Sequence, residues 1–429
     1  MSSPRPWRLA GAIAVLALLL APALPGGAGG RVLAHAQLVT SSPGAGVVVP
    51  EPPAEIRLVF SEPLESQATS VDIVAPDGTE LLSRGGRVDP DDPFTLVVAD
   101  PGLTDGIYSV IWRTLSAADG HTAEGFFSFG VGDVDPALAG AGASGMTHDQ
   151  TDPIRVAGRW LTYVGLLMAL GIAVLHRVVI RHGPMPAALV RVLAIGLFVS
   201  AGATLVAAVG AGIEAGSVTD YLFGSRNGTL QLARAMVAAV GGVAMLAVAP
   251  RIAGAIAAAT GLVGIVLLVS AGHASALPGP VPVLAQVVHV AASAIWIGGL
   301  AGLLAMIVRP EFITGHGHRP AMRTLVPRFS AVALTSIGLI GLSGIYAAWM
   351  QTGTLVTTET EFGRTLLIKT AFAVGAIGLG GLNYLDGGRM LGWLNGMRAR
   401  LTVEVGLAAT VLIATAALSI TPPTEEPTG

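Results

Sequence analysis

The chain has 429 residues, 52% of them hydrophobic and only 12% charged. A soluble protein carries roughly 25% charged residues, so the composition excludes a wholly water-soluble chain. Cysteine is absent, which excludes a disulfide framework, a thiolate metal site and a cysteine nucleophile. The net charge of −3 hides a split: residues 35 to about 135 have the makeup of an ordinary soluble domain, whereas about 155 to 420 are long apolar runs broken by short charged stretches.

Residues 1–34 read as a secretory signal. Arg5 and Arg8 supply the positive start, and Ala10 to Leu20 is an apolar run too short to span a bilayer. Val32-Leu33-Ala34 is a small-residue cleavage site. Cleavage there leaves His35 as the first residue of the mature chain, with a free α-amine; the alternative is an uncleaved anchor helix. The amine and one ring nitrogen of an N-terminal histidine can chelate the same ion.

Residues 35–131 read as an all-β domain. Ile56 to Phe60 alternates apolar and polar, and Ser70 to Val74, Thr95 to Val98, Tyr108 to Trp112 and Phe126 to Val131 are further short strands. Asp77-Gly78, Gly85-Gly86, Asp105-Gly106 and several prolines punctuate them. Strands and turns at this spacing predict a β-sandwich, with Leu58, Phe60, Val110, Trp112, Phe127 and Phe129 in its core. Its basic residues are Arg57, Arg84, Arg87 and Arg113, against many Asp and Glu. An acidic surface attracts cations and argues against a nucleic-acid partner.

Residues 132–154, rich in Gly, Ala and Asp, read as a flexible linker holding Met146 and His148. Residues 155–421 then carry eight apolar segments, near 158–180, 188–213, 229–249, 252–273, 282–308, 328–351, 364–385 and 400–420, ahead of a tail at 422–429. Each is long enough to cross a bilayer as a helix. Glycines such as Gly338, Gly341 and Gly344, or Gly298 and Gly302, would let helices pack closely. With the sandwich outside, the odd-numbered connections fall inside. On the inner side fall Arg177, Arg181, Arg191, Arg251, Arg309, Arg319, Arg323, Arg328, Arg389, Arg398 and Arg400, while Glu214, Asp220, Glu359 and Glu361 fall outside. The positive-inside rule thus agrees with the signal and puts both termini on the extracytoplasmic side.

The chemistry centres on Asp119-Gly120-His121. In extended chain, residues two apart point to one side, and Gly120 between them lets the backbone bend. A carboxylate and an imidazole then face one point, and a mature His35 would add two nitrogens. Three nitrogens and one oxygen suit Cu(II), although Zn(II) could use the same set in a tetrahedron. No methionine lies between His35 and Val131, so this domain has no thioether site.

Within the membrane half, ionisable residues are functional candidates by default. His273 is read as ending the fourth helix on the outer side, and His289 lies about 10 Å deep in the fifth at 1.5 Å per residue. Helices joined by a short loop are usually neighbours, so the two imidazoles are expected to converge. Lys369 lies at a similar depth in the seventh helix, and Glu404 lies near the inner end of the eighth with Arg400 one turn away. His176, His182, His316 and His318 fall on the inner side.

His35-Ala36-Gln37-Leu38, Phe60-Ser61-Glu62-Pro63, Gly106-Ile107-Tyr108-Ser109-Val110-Ile111-Trp112-Arg113 and Ser116-Ala117-Ala118-Asp119-Gly120-His121 resemble, in order, the CopC family of periplasmic copper-binding proteins. The resemblance implies a β-sandwich that holds Cu(II) through His35, Asp119 and His121. Glu62 matches an acidic position near the metal, as a ligand or as support for one. His289 to Leu300, Arg328-Phe329-Ser330, Ser343-Gly344-Ile345-Tyr346, Gly363 to Lys369, Asn383, and Arg400 with Glu404 resemble the CopD family of inner-membrane copper-resistance proteins. Fused proteins of this kind are regarded as copper importers. The expectation is therefore a protein of the bacterial cytoplasmic membrane, not an enzyme. Its sandwich captures Cu(II), and its membrane half passes copper inward by way of His273, His289 and Lys369. Cu(I) is left open for the membrane half, and other copper-handling proteins are candidate partners. A copper buffer without transport and a membrane copper reductase are the alternatives.

Overall fold

The computed structural model describes residues 36–75, 77–118, 120, 122–137, 145–146, 153–181, 183–275, 277, 279–309, 322–352, 361–386 and 393–418. The signal segment, His35, Asp119, His121, His148, His182, His316, His318 and the C-terminal tail lie outside these residues, as does the side chain of His273.

Two sheets form the first half. One has the order β1 (Leu38–Ser42), β3 (Glu55–Phe60), β7 (Thr95–Ala99), β6 (Arg87–Val88). The other has the order β10 (Gly145–Met146), β9 (Thr122–Val131), β8 (Gly106–Leu115), β4 (Ser70–Val74), β5 (Glu80–Gly85), and β2 (Val48–Val49) pairs in parallel with β9. The alternation expected for residues 56–60 is borne out: Ile56, Leu58 and Phe60 are buried and the residues between them are not. All six expected core residues are buried, and Phe60 meets Trp112 edge-on with ring centroids 5.2 Å apart. Short polar strands such as β1 and β5 lack that alternation and were not legible. The segment expected to be wholly linker contains β10, which pairs Gly145 and Met146 with Phe126 and Gly125.

The second half is helical: α1 (Pro153–Val174), α2 (Ala187–Glu214), the short α3 (Val218–Gly224), α4 (Arg226–Ala247), α5 (Pro250–Ser270), α6 (Val281–Val308), α7 (Met322–Thr352), α8 (Glu361–Asp386) and α9 (Trp393–Leu418). All but α3 are long and apolar enough to cross a membrane, giving eight spans among the described residues. The first span is the hub, packing against α2, α5, α6 and α9. It approaches α6 closely, since a Cβ placed on Gly171 would lie 2.7 Å from the Cα of Gly298. In lipid such small-residue contacts supply the packing that hydrophobic burial supplies in water. Gly341 faces nothing within 4 Å, so it does not share a packing face with Gly344, which lies against His289. The first span ends in a π-helical turn, Leu175–Ile180, that buries His176.

Two boundaries matter for the site. The fourth span stops at Ser270, and His273 falls beyond it in a 3-10 turn, His273–Ser275, rather than ending the helix. The sandwich touches two of the connections expected on the outer face, 215–225 and 271–280, which places them on one side of the bundle.

Candidate metal centre

Three segments meet at one end of the sandwich. Ala36 is fully buried, and its carbonyl accepts a hydrogen bond from Thr114 Oγ1 at 3.2 Å. The same hydroxyl lies 3.4 Å from the Ala123 carbonyl. The Gln37 N–H donates to Ser61 Oγ at 3.0 Å, and the Ser61 N–H donates back to the Gln37 carbonyl at 2.9 Å. Leu64 bridges Ser116, the Ala117 N–H donates to the Pro63 carbonyl at 2.8 Å, and the Glu65 N–H donates to the Leu115 carbonyl at 2.9 Å. The residue that follows His35, the segment carrying Glu62, and the strands flanking Asp119 and His121 are thereby tied into one knot. Glu62 is buried within it, 1% exposed. A glutamate is almost never this buried unless something pairs with it. Among the described residues no three His, Asp or Glu side chains gather as a metal site; three of the four expected ligands lie outside those residues.

The turn that carries the candidates is built locally. The Gly120 N–H closes it on the Ser116 carbonyl at 3.0 Å, and the Ala118 N–H donates to Ser116 Oγ at 3.1 Å. Gly120 has φ +74°, which side chains disfavour, and a Cβ there would sit 2.9 Å from the Asn227 Cβ of α4. Glycine is therefore needed twice over.

The turn also rests on the membrane half. Asn227 Nδ2 donates to the carbonyls of Ser116 (3.4 Å) and Ala117 (3.2 Å), Arg226 Nη1 donates to that of Ala117 (3.3 Å), and Ser275 Oγ donates to that of Ala118 (2.9 Å). The Glu65 carboxylate accepts the Arg226 backbone N–H at 2.7 Å, capping α4 from the other domain. Burial pushes the Glu65 carboxyl above its usual range, opposed by the N–H and charge of Arg226.

Beneath the His273–Ser275 turn, Ala274, Leu277, Pro282, Gln286, Tyr346, Ala347 and Met350 line a small cavity. One turn deeper lies His289, whose Nδ1 is 3.1 Å from Ser343 Oγ of α7. The Ser343 hydroxyl donates to the Leu339 carbonyl at 2.5 Å, so it accepts from Nδ1–H. That tautomer leaves the lone pair on Nε2. Lys369 of α8 is half-buried and within electrostatic range of His289. The expected meeting of His273 with His289 falls outside the described side chains. Glu404 is buried against Gly380 of α8.

Sequence reasoning missed Arg234, a buried arginine in α4 near Tyr163, Tyr221 and Arg159. A charge inside an apolar run was the available signal. It also missed Glu65, Arg226, Asn227 and Ser275, which look like ordinary turn and cap residues until the two halves are seen together.

Comparison with known proteins agrees with this division. The CopC domain model matches residues 38–132, and the Copper resistance protein D model matches 323–420, the last three spans. The chain is 24% identical over 423 residues to Copper transport protein CutJ of Bacillus subtilis (strain 168), covering 92% of this chain and 75% of that one. It is 33% identical over 102 residues to Protein YobA of Escherichia coli (strain K12), covering 23% of this chain and 81% of YobA. The crystal structure of CopC from Methylosinus trichosporium OB3b aligns at 34% identity and TM-score 0.22, covering 23% of this chain and 93% of that one. The chain belongs to the CopC family through its N-terminal sandwich, joined in one polypeptide to a membrane half that carries a CopD domain.

Proposed function

We propose that the sandwich captures Cu(II) on the extracytoplasmic face of the bacterial cytoplasmic membrane and that the membrane half carries copper inward. The carrying observation is the knot. The chain segments beside His35, Asp119 and His121 are hydrogen-bonded to one another and to the segment that carries buried Glu62, at the end of the sandwich that faces the membrane helices. In this reading the mature α-amine and ring of His35 supply two nitrogens, His121 a third and Asp119 an oxygen, a set that suits Cu(II). Glu62 either completes the set or orients a ligand within it. The acidic sandwich raises the local concentration of cations.

Released copper would enter the cavity below the His273–Ser275 turn. There Met350 offers a thioether, and His289 one turn deeper offers an imidazole Nε2. Those donors suit Cu(I), and they are the basis for assigning that ion to the membrane half. His273 and Lys369 flank the same route. CutJ is named a copper transport protein, and its match spans most of this chain.

The test has two parts. Residues 35–131 made with a native His35 terminus are expected to bind one Cu(II) tightly, and to lose that binding when one extra residue precedes His35. Binding must displace protons from the amine and the imidazoles, so affinity falls in acid. Cells carrying the full chain are expected to accumulate copper. Unchanged cell copper alongside intact binding would make the protein a buffer instead, and haem absorption in the purified chain would favour a reductase.

A further inference from the structure

We propose that the metal loop is itself the latch between the two halves, with Glu65, Arg226 and Asn227 as positioning residues that hold it over the cavity one turn above His289. The inference deepens the transfer reading above and depends on it only for the purpose of the latch, not for its existence.

Three features carry it. The first is hydrogen bonding. Asn227 and Arg226, in the first turn of α4, and Ser275, in the α5–α6 connection, donate to the carbonyls of Ser116, Ala117 and Ala118. The next residue in the chain is Asp119. Arg226 is braced in turn by the Ser270 carbonyl at 2.9 Å and Ser275 Oγ at 3.5 Å, so one guanidinium spans the loop and the end of α5. The second feature is the return contact. Glu65 supplies a carboxyl oxygen that accepts the backbone N–H of Arg226 at 2.7 Å, in the first turn of α4, where N–H groups lack partners within the helix. The third is an apolar plug. Leu115, at the start of the loop, is fully buried with Ala208, Ala215 and Tyr221 of the membrane half. A chance collision between domains would not bury a leucine and use the carbonyls of three consecutive residues beside the candidate ligands.

The absence of cysteine makes a clean test possible in the full chain. Ala118→Cys with Ser275→Cys is expected to form an intramolecular disulfide in native membranes, since Ser275 Oγ lies 2.9 Å from the Ala118 carbonyl. Asn227→Asp then separates the latch from folding. An acidic residue in the first turn suits the helix dipole, yet it turns both donors into acceptors against two carbonyls. Disulfide yield is expected to fall about tenfold, the factor expected from losing one or two net hydrogen bonds. Cu(II) binding by the sandwich should be unchanged while cell copper falls, and Asn227→Gln, which keeps the donors, should restore part of the yield. No disulfide in the parent pair overturns the latch. So does an Asn227→Asp variant with parental disulfide yield and parental copper accumulation. A disulfide that forms in a chain that never changes cell copper supports the latch and refutes the transfer reading.

Discussion

Leu115→Ala is the perturbation whose size can be worked most directly. Leu115 is fully buried, yet its cluster is made with Ala208, Ala215 and Tyr221 of the membrane half, not with the Phe60–Trp112 core of the sandwich. Truncation removes three carbons, or about 2.4 kcal/mol at about 0.8 kcal/mol per buried methylene. A residual cavity would add to this. The docked loop should therefore open about fifty-fold more often, since each 1.4 kcal/mol is about tenfold. Amide hydrogen exchange of the full chain in detergent reads this as faster exchange over the 115–120 turn. In the excised sandwich the same leucine has lost most of its neighbours, and its truncation should fall within about 0.5 kcal/mol of neutral. Equal acceleration in the excised domain and the full chain would refute the reasoning, because Leu115 would then belong to the sandwich core.

Two further outcomes follow from the same geometry. Burial raises the Glu65 carboxyl, with Arg226 opposing and Tyr221 the other titratable group facing it. The raised pKa means that the buried carboxyl holds its proton more tightly than a free one. To the extent that docking supplies the burial, docking should be strongest below the free carboxyl's pKa and weaken as pH rises to the raised value, with no further change above it. Energy transfer between probes on the two halves should show this trend, and Glu65→Gln should flatten it. In α7, Ser343→Ala removes the acceptor that orients the His289 ring. Copper accumulation should fall in this variant and in His289→Ala, whereas Ser343→Thr, which keeps the hydroxyl, should retain it; parental accumulation in both alanine variants would remove His289 from the path.

Much of this architecture could be read from the chain. Long buried strands such as β3 announce themselves by alternation, and each span exceeds the length a bilayer needs, so the sandwich core and all eight spans were legible. The edge strands were not: β1 runs Leu-Val-Thr-Ser-Ser and has one face to water, so nothing in its composition requires a strand. His273 was read one step too far into the fourth helix because Ala271-Gly272 leaves the apolar run without an obvious stop. His289 was legible as a lone ionisable group in an apolar segment. Its partner Ser343 was not, since a serine in a membrane helix usually bonds only its own backbone, and the pairing depends on how α6 and α7 pack. The latch was hidden for a related reason. Arg226 and Asn227 follow an N-capping serine, as the start of many helices does, and only the fold brings them to residues more than a hundred positions away.

The way the loop is held constrains how a metal can be bound there. The Ser116 carbonyl accepts from Gly120 and Asn227, the Ala117 carbonyl from Arg226 and Asn227, and the Ala118 carbonyl from Ser275. Each main-chain oxygen of residues 116–118 is thus already committed to a donor. In the reading proposed above, a cation at this end of the sandwich would rely on side chains and the mature α-amine, and need not compete with docking for the backbone. In that reading loading and docking are compatible states of one turn, and copper exchange at the membrane would not require the loop to leave its seat. Had the same carbonyls been open, the metal would have had to break the latch to be captured, and capture and delivery would have opposed each other.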